Sequence, residues 1–125
     1  LAKNLHIVKP KKNYESKPIL VNSKTWDIIH NSMKQVVYGD KGTGKLSNPN
    51  IPGVEVLGKT GTAENPHGET HAWYIGFANY DKIDMISVVV LVENGGGGGS
   101  VASPIAREIF KKYNKKINYN VAVRQ

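Results

Sequence analysis

Lys59, Thr60, Gly61 and Thr62 put an ammonium, two hydroxyls and a bare backbone position into four consecutive residues. Such a set suits an anion, and the first question is which one. Residues 53–60, GVEVLGKT, satisfy the phosphate-loop pattern G-x-x-x-x-G-K-[ST] with Gly53, Gly58, Lys59 and Thr60. A phosphate loop also needs a strand before the first glycine, a tight turn, and a helix that opens at the Lys-Ser/Thr pair. Here the variable positions are Val54, Glu55, Val56 and Leu57, which extend a chain rather than wrap it around a phosphate, and Glu55 would repel one. The following GTAENPHG cannot open a helix. A near-match, GDKGTGKL at 39–46, ends in Leu46 where magnesium needs a hydroxyl. Nucleotide binding is therefore not expected, and no cofactor is implied.

As a strand, the same residues make different sense. Side chains alternate between faces, so Thr60 and Thr62 share one face and Lys59 and Gly61 the other. Lysine beside two hydroxyls is a compact carboxylate receptor. Gly61 lets a ligand come close to the backbone. At a sheet edge the strand can accept an extended substrate by main-chain hydrogen bonds, and the Thr62 N–H can serve as an oxyanion donor.

The elements that hold this strand follow from periodicity. Trp26, Ile29, Met33, Val36 and Val37 recur at helical spacing, which predicts a helix from about 24 to 38, with Asn22 or Ser23 as cap and Gly39 as stop. Residues 39–53 are rich in Gly, Pro and Asn and read as a loop. VEVLGKT is a predicted strand. HAWYIGFA (71–78) is a second, with Trp73, Ile75 and Phe77 as its packing side. IDMISVVVLVE (83–93) is a third, whose apolar run predicts a central position buried on both faces. The short NYDK turn makes the second and third strands antiparallel, with the first strand on the other side of the second. Gly95–Gly99 resembles a flexible linker, but the apolar pattern continues beyond it, so it reads as a natural loop lying close to another surface. Pro104 opens a second helix, with Ile105, Ala106, Ile109, Phe110 and Tyr113 on one face and lysines in its last turn. The tail from Asn114 reads as polar and loose, and LHIV (5–8) as a short strand. Helix, three strands, helix is a small α+β unit, an antiparallel sheet flanked by helices.

Composition narrows the partners. The chain has 125 residues, no cysteine and a formal net charge of +7. Disulfides and thiolate metal sites are excluded. Lysines cluster at 9–12 and 111–116 without interleaved aromatics, so the charge reads as surface rather than as a nucleic-acid platform. No window approaches the ~18 consecutive apolar residues of a membrane span. The chain begins at Leu1 rather than Met, which suggests a piece of something longer. His67 and His71 stand four apart, but HGETH is not H-E-x-x-H and lies in a loop entering a strand, so no metal is expected.

VLGKTGTAE, HAWYIGFA and ISVVVLVENGGGGGSVASPIAREIF together resemble the C-terminal part of penicillin-binding protein transpeptidase domains. K-T-G accompanies S-x-x-K and S-x-N motifs throughout that superfamily. The pattern is most similar to the class B, elongation-type branch called penicillin-binding protein 2, over roughly residues 22–113, with 114–125 as a tail. The resemblance implies a peptidoglycan D,D-transpeptidase that cross-links stem peptides through a serine acyl-enzyme and is the target of β-lactams. It implies that Lys59 hydrogen-bonds the S-x-N serine and assists proton transfer. Thr60 and Thr62 would hold the terminal carboxylate of D-Ala-D-Ala or of the antibiotic, beside Gly61, and the Thr62 N–H would complete the oxyanion hole. It further implies a periplasmic, membrane-anchored parent protein, working with an elongation-complex scaffold and a glycosyltransferase. No serine of this chain has a lysine three positions on, and there is no S-x-N. In the family both lie upstream of K-T-G. The chain is thus expected to supply one wall of a site whose nucleophile belongs to an upstream segment, and to be inactive alone. A serine β-lactamase or β-lactam sensor shares K-T-G, and a non-catalytic wall-binding or scaffold-docking module on the same fold is the other alternative.

Overall fold

The computed structural model describes residues 19–81 and 84–123, the side chains of 119–123 excepted. Helix α1 (Ser23–Tyr38) leads through a short 3-10 turn (Lys45–Ser47) to strands β1 (Val54–Ala63), β2 (His71–Tyr80) and β3 (Asp84–Val92). A single π turn (Gly98–Ala102) then runs into helix α2 (Ser103–Val123). The expected LHIV strand and the 9–12 lysine cluster fall outside the described residues.

The start of α1 is fixed by Asn22, whose Oδ1 accepts the Thr25 N–H at 2.9 Å, satisfying one of the free donors of the first turn. Gly39 ends it, its N–H closing on Gln35 O at 2.9 Å. Only Val37 of this helix is buried. Trp26, Ile28 and Ile29 are exposed, so the expected apolar stripe is engaged mainly at its C-terminal end.

The sheet order is β1-β2-β3, antiparallel throughout, with β2 in the centre. Thr60 lies opposite Tyr74 and Gly61 opposite Trp73, while Tyr74 lies opposite Val90. The strand order and antiparallel sense are those expected from the sequence. The covered face carries Val56 of β1, Ala72, Tyr74, Ala78 and Tyr80 of β2, and Val88 and Val90 of β3. Ala102, Ala106 and Phe110 close over it, with Tyr113 and Ile117 at the margin. Tyr80 ties sheet to helix, its hydroxyl donating to Phe110 O at 2.9 Å. The Tyr113 ring leans on Tyr80 at a centroid distance of 5.4 Å, and its hydroxyl donates to Asp84 Oδ2 at 2.6 Å.

Several expectations about packing need correction. Trp73, Ile75 and Phe77 lie on the opposite face from the core, and Ile75 is 47% exposed. Alternation shows that two faces differ, not which one is covered. The small residues Ala72, Gly76 and Ala78 mark the covered side, because they give Tyr74 and the second helix room. Among the described residues β3 has β2 as its one neighbour, and it buries only Val88 and Val90, with Val89 67% exposed rather than covered on both faces. On α2, Ile105 and Ile109 turn outward, and the buried stripe is Ala106 and Phe110, continued from Ala102 of the π turn. The helix continues through Asn114 to Val123, so its lysines lie mid-helix rather than in the last turn.

Candidate active site

Both glycines of the apparent phosphate loop are explained by packing. Gly53 sits at φ +76°, and a side chain there would collide with the Asp81 carboxylate. Gly58 and Gly76, paired across β1 and β2, lie beneath the Tyr74 ring, which leaves no room for a Cβ at either position. The residues between Gly53 and Gly58 are extended strand.

The buried Tyr74 hydroxyl donates to Ser47 Oγ at 2.9 Å, and Ser47 donates to Gly44 O at 2.7 Å. Burial pushes the Tyr74 phenol above its ordinary range, against the opposing effect of the Ser47 bond. This relay moors the 42–47 segment to the sheet. Gly44 N–H also reaches Val36 O at 2.9 Å. The segment therefore stands beside the C-terminal half of β1, where Thr43 Oγ1 and Thr60 Oγ1 share a hydrogen bond of 2.7 Å.

The glycine run approaches the same strand from the end of β3. Asn94 N–H donates to His71 Nδ1 at 3.0 Å, and Asn65 Nδ2 donates to Asn94 Oδ1 at 2.7 Å. Gly96 N–H donates to Thr70 O at 2.9 Å. Gly98 then rests on the backbone of β1 and β2, with Gly61 and Trp73 directly beneath, and its N–H points to Thr62 Oγ1 at 3.4 Å. Gly99 lies against Thr43 O. A side chain at Gly98 or Gly99 would separate these backbones. The run is thus a fitted loop, as its close-approach reading anticipates.

Between the 42–46 segment, Thr60, Thr62 and the 97–100 loop lies an open cleft of about 580 Å³. Thr60 and Thr62 both line it. Lys59 is on the other face of the strand and exposed, its ammonium donating to Thr60 O. Gly61 shares the Lys59 face, where a Cβ would stand 3.2 Å from Trp73 Cβ. Among the described residues, β1 pairs only with β2. The Val56 N–H donates to Tyr38 Oη at 3.0 Å, so it points away from β2. Alternation along the strand then directs the N–H and C=O groups of Gly58, Thr60 and Thr62 to the same free edge. Two hydroxyls, an outward Thr62 N–H and an exposed ammonium therefore surround one strand edge. Such an edge can hold an extended peptide and bind its carboxylate.

Sequence alone does not single out Thr43, Lys45 or Gly98. Thr43 is legible only as part of GTGK, a near-match to a phosphate loop that ends in Leu46. Its useful signal is different: a hydroxyl between two glycines, able to approach another backbone. Lys45 lines the cleft, with its ammonium on Asp40 O at 2.6 Å. His71 braces the loop, its Nδ1 accepting the Asn94 N–H.

Comparison with known proteins gives one consistent result. The penicillin binding protein transpeptidase domain model matches residues 2–111. The peptidoglycan D,D-transpeptidase MrdA of Haemophilus influenzae is 33% identical over 120 residues, covering 80% of this chain and 18% of that protein. Peptidoglycan D,D-transpeptidase PbpA of Mycobacterium tuberculosis is 44% identical over 70 residues, covering 49% of this chain and 14% of that protein. Among solved structures, Pseudomonas aeruginosa PBP2 in complex with WCK 5153 superposes with a TM-score of 0.66 at 30% identity, covering 84% of this chain and 23% of that one. The imipenem acyl-enzyme complex of penicillin-binding protein A from M. tuberculosis gives a TM-score of 0.54 at 34% identity, covering 73% of this chain and 19% of that one. The chain thus spans a minor part of the length of each relative it matches.

Proposed function

Because this chain belongs to the penicillin binding protein transpeptidase domain family, we propose that it forms the carboxylate-binding wall of a peptidoglycan D,D-transpeptidase. The observation that carries this reading is the free edge of β1, with the Thr60 and Thr62 hydroxyls opening on one cleft. An extended stem peptide ending in D-Ala-D-Ala adds along that edge. Its terminal carboxylate is held by the two hydroxyls, with Gly61 keeping the path beside the backbone clear. A serine of an upstream segment attacks the carbonyl of the penultimate D-Ala, and the terminal D-Ala leaves. The Thr62 N–H, pointing off the edge, donates to the oxyanion that develops on that carbonyl, where a fixed dipole stabilises the transition state most. The amine of a second stem peptide then attacks the acyl-enzyme and releases the cross-linked product. A β-lactam follows the first half of this path, since its carboxylate and strained amide mimic the D-Ala-D-Ala end.

Lys59 is assigned to proton transfer. Its ammonium lies across the strand from the two hydroxyls and folds onto Thr60 O, within a side-chain swing of the free edge. There it hydrogen-bonds the S-x-N serine contributed by the upstream segment. Work on a stem peptide places the parent protein outside the cytoplasm, anchored to the membrane by a segment other than these elements. No helix among the described residues is long and apolar enough to cross a membrane. An elongation-complex scaffold and a glycosyltransferase are the partners this reading assigns to the parent protein.

Covalent labelling with a fluorescent penicillin tests the proposal. The 125-residue chain alone is expected to give no adduct, because acylation needs a serine activated by a neighbouring base. Co-expression with the upstream segment is expected to restore labelling. Stoichiometric labelling of a serine in the lone chain would overturn the assignment of the nucleophile.

A further inference from the structure

We propose that Thr43 is a positioning residue for the carboxylate site, donating its proton to Thr60 Oγ1 so that the Thr60 proton is turned into the cleft. This rests on the reading that Thr60 and Thr62 hold a carboxylate. A hydroxyl has one proton to give, whereas a carboxylate only accepts. Each threonine can bind the ligand as a donor only if its own proton is not committed elsewhere. For Thr62 the structure meets this condition, because its oxygen is the acceptor of the Gly98 N–H at 3.4 Å. For Thr60 the outcome turns on the 2.7 Å contact with Thr43 Oγ1, where either oxygen can be the donor. If Thr60 donates to Thr43, it has nothing left for the ligand. If Thr43 donates, the order becomes Thr43 to Thr60 to carboxylate. The second arrangement wins once an anion occupies the cleft, because the charge-assisted bond is roughly twice as strong as a neutral one and bonds in a chain reinforce one another.

Thr43 is held ready for this task. Gly42 N–H closes on Gly39 O and Gly44 N–H on Val36 O, each at 2.9 Å, so both flanks of the residue are fixed. Gly99 abuts the Thr43 carbonyl, where a Cβ would collide with it. Lys45, the next side chain lining the cleft, is braced on Asp40 O at 2.6 Å. The side chain of Thr43 is solvent-exposed, so the core does not account for the hydroxyl.

The test compares second-order acylation of the complete protein by benzylpenicillin and by its methyl ester, which lacks the charged carboxylate. Thr43→Val is expected to slow acylation by the acid about three- to tenfold, the worth of one hydrogen bond, and to change the ester rate less than about twofold. Thr43→Ala should repeat this result, and Thr43→Ser should restore the acid rate. In the Thr43→Val, Thr60→Val double variant the loss should equal that of Thr60→Val alone, because both act through one bond. Equal losses on acid and ester, or losses that multiply in the double variant, would overturn the role of Thr43 while leaving the Thr60 site intact. A Thr60→Val variant that loses no more on the acid than on the ester would overturn the carboxylate reading itself, and the role of Thr43 with it.

Discussion

Gly98→Ala is the substitution through which the glycine run most directly reaches the site. A Cβ at Gly98 would fall inside the contact distance of two carbonyl oxygens, Gly61 O and Trp73 O, and 3.0 Å from Gly61 N. All three are backbone atoms of paired strands, so none can rotate away as a side-chain tip would. Carbon and carbonyl oxygen are comfortable at about 3.3 Å or more, so the π turn must lift from the sheet by about 1 Å. Overpacking of this kind costs about 1–3 kcal/mol. At about 2–4 °C per kcal/mol for a large domain, the melting temperature should fall by about 2–12 °C. The same lift breaks the already long Gly98 N–H to Thr62 bond, and acylation should slow about tenfold, the effect of one lost hydrogen bond. Gly96→Ala is the control. Gly96 has φ +80°, and a Cβ there would meet no heavy atom within 4 Å, so its cost is local strain of about 1–2 kcal/mol without displacement of the turn. The assay is a melting curve beside the second-order rate with a fluorescent penicillin. The two variants should lose comparable stability, but only Gly98→Ala should lose rate. A Gly98→Ala protein with unchanged melting and rate would refute the close-packing account. So would a Gly96→Ala protein with the same rate loss.

Further outcomes are expected from the buried polar contacts. Ser47→Ala removes the acceptor of the buried Tyr74 hydroxyl and should cost about 1–3 kcal/mol in denaturant unfolding. Tyr74→Phe should cost less, because Ser47 keeps its bond to Gly44 O. Burial first, then the neighbouring Tyr113 and Asp84, pushes the Tyr80 phenol up to about 12. A raised folded pKa favours the protonated form, so its stabilising effect is complete below the ordinary value of about 10. That effect is lost as pH rises from there to about 12. Melting temperature should therefore decline over this window, and Tyr80→Phe should flatten the decline. Lys34→Ala, which removes the 2.7 Å pair with Glu55 between two partly exposed side chains, should change stability by less than about 1 kcal/mol.

Much of this architecture can be read from the chain because local signals agree with the tertiary outcome. Asn22 and Gly39 bound the first helix, and the short interval between Tyr80 and Asp84 suits an antiparallel β2–β3 pair. The strand reading of 54–62 follows from β-branched residues where a phosphate loop needs flexibility. The choice of faces is what misleads. Trp73, Ile75 and Phe77 are large and apolar, yet the covered side of β2 carries Ala72, Gly76 and Ala78, because α2 and the Tyr74 ring need space there. Ile105 and Ile109 mislead in the same way, as hydrophobicity does not reveal which neighbour an apolar residue meets. The motif residues Lys59, Thr60 and Thr62 are visible as chemistry on alternating faces. Thr43 and Gly98 are not, because their importance lies in contacts between residues 17 and 36 positions apart.

Lys59→Ala provides the most direct measurement of the central claim. Lys59 is exposed on the face of β1 opposite the cleft threonines, so truncation should leave the melting curve within about 0.5 kcal/mol of the parent. If its ammonium assists proton transfer during acylation, the second-order rate with a penicillin in the complete protein should fall about a hundredfold or more, the usual worth of a positioned acid–base group. An unchanged rate in a fully folded variant would contradict the claim that this strand is the working wall of a transpeptidase site.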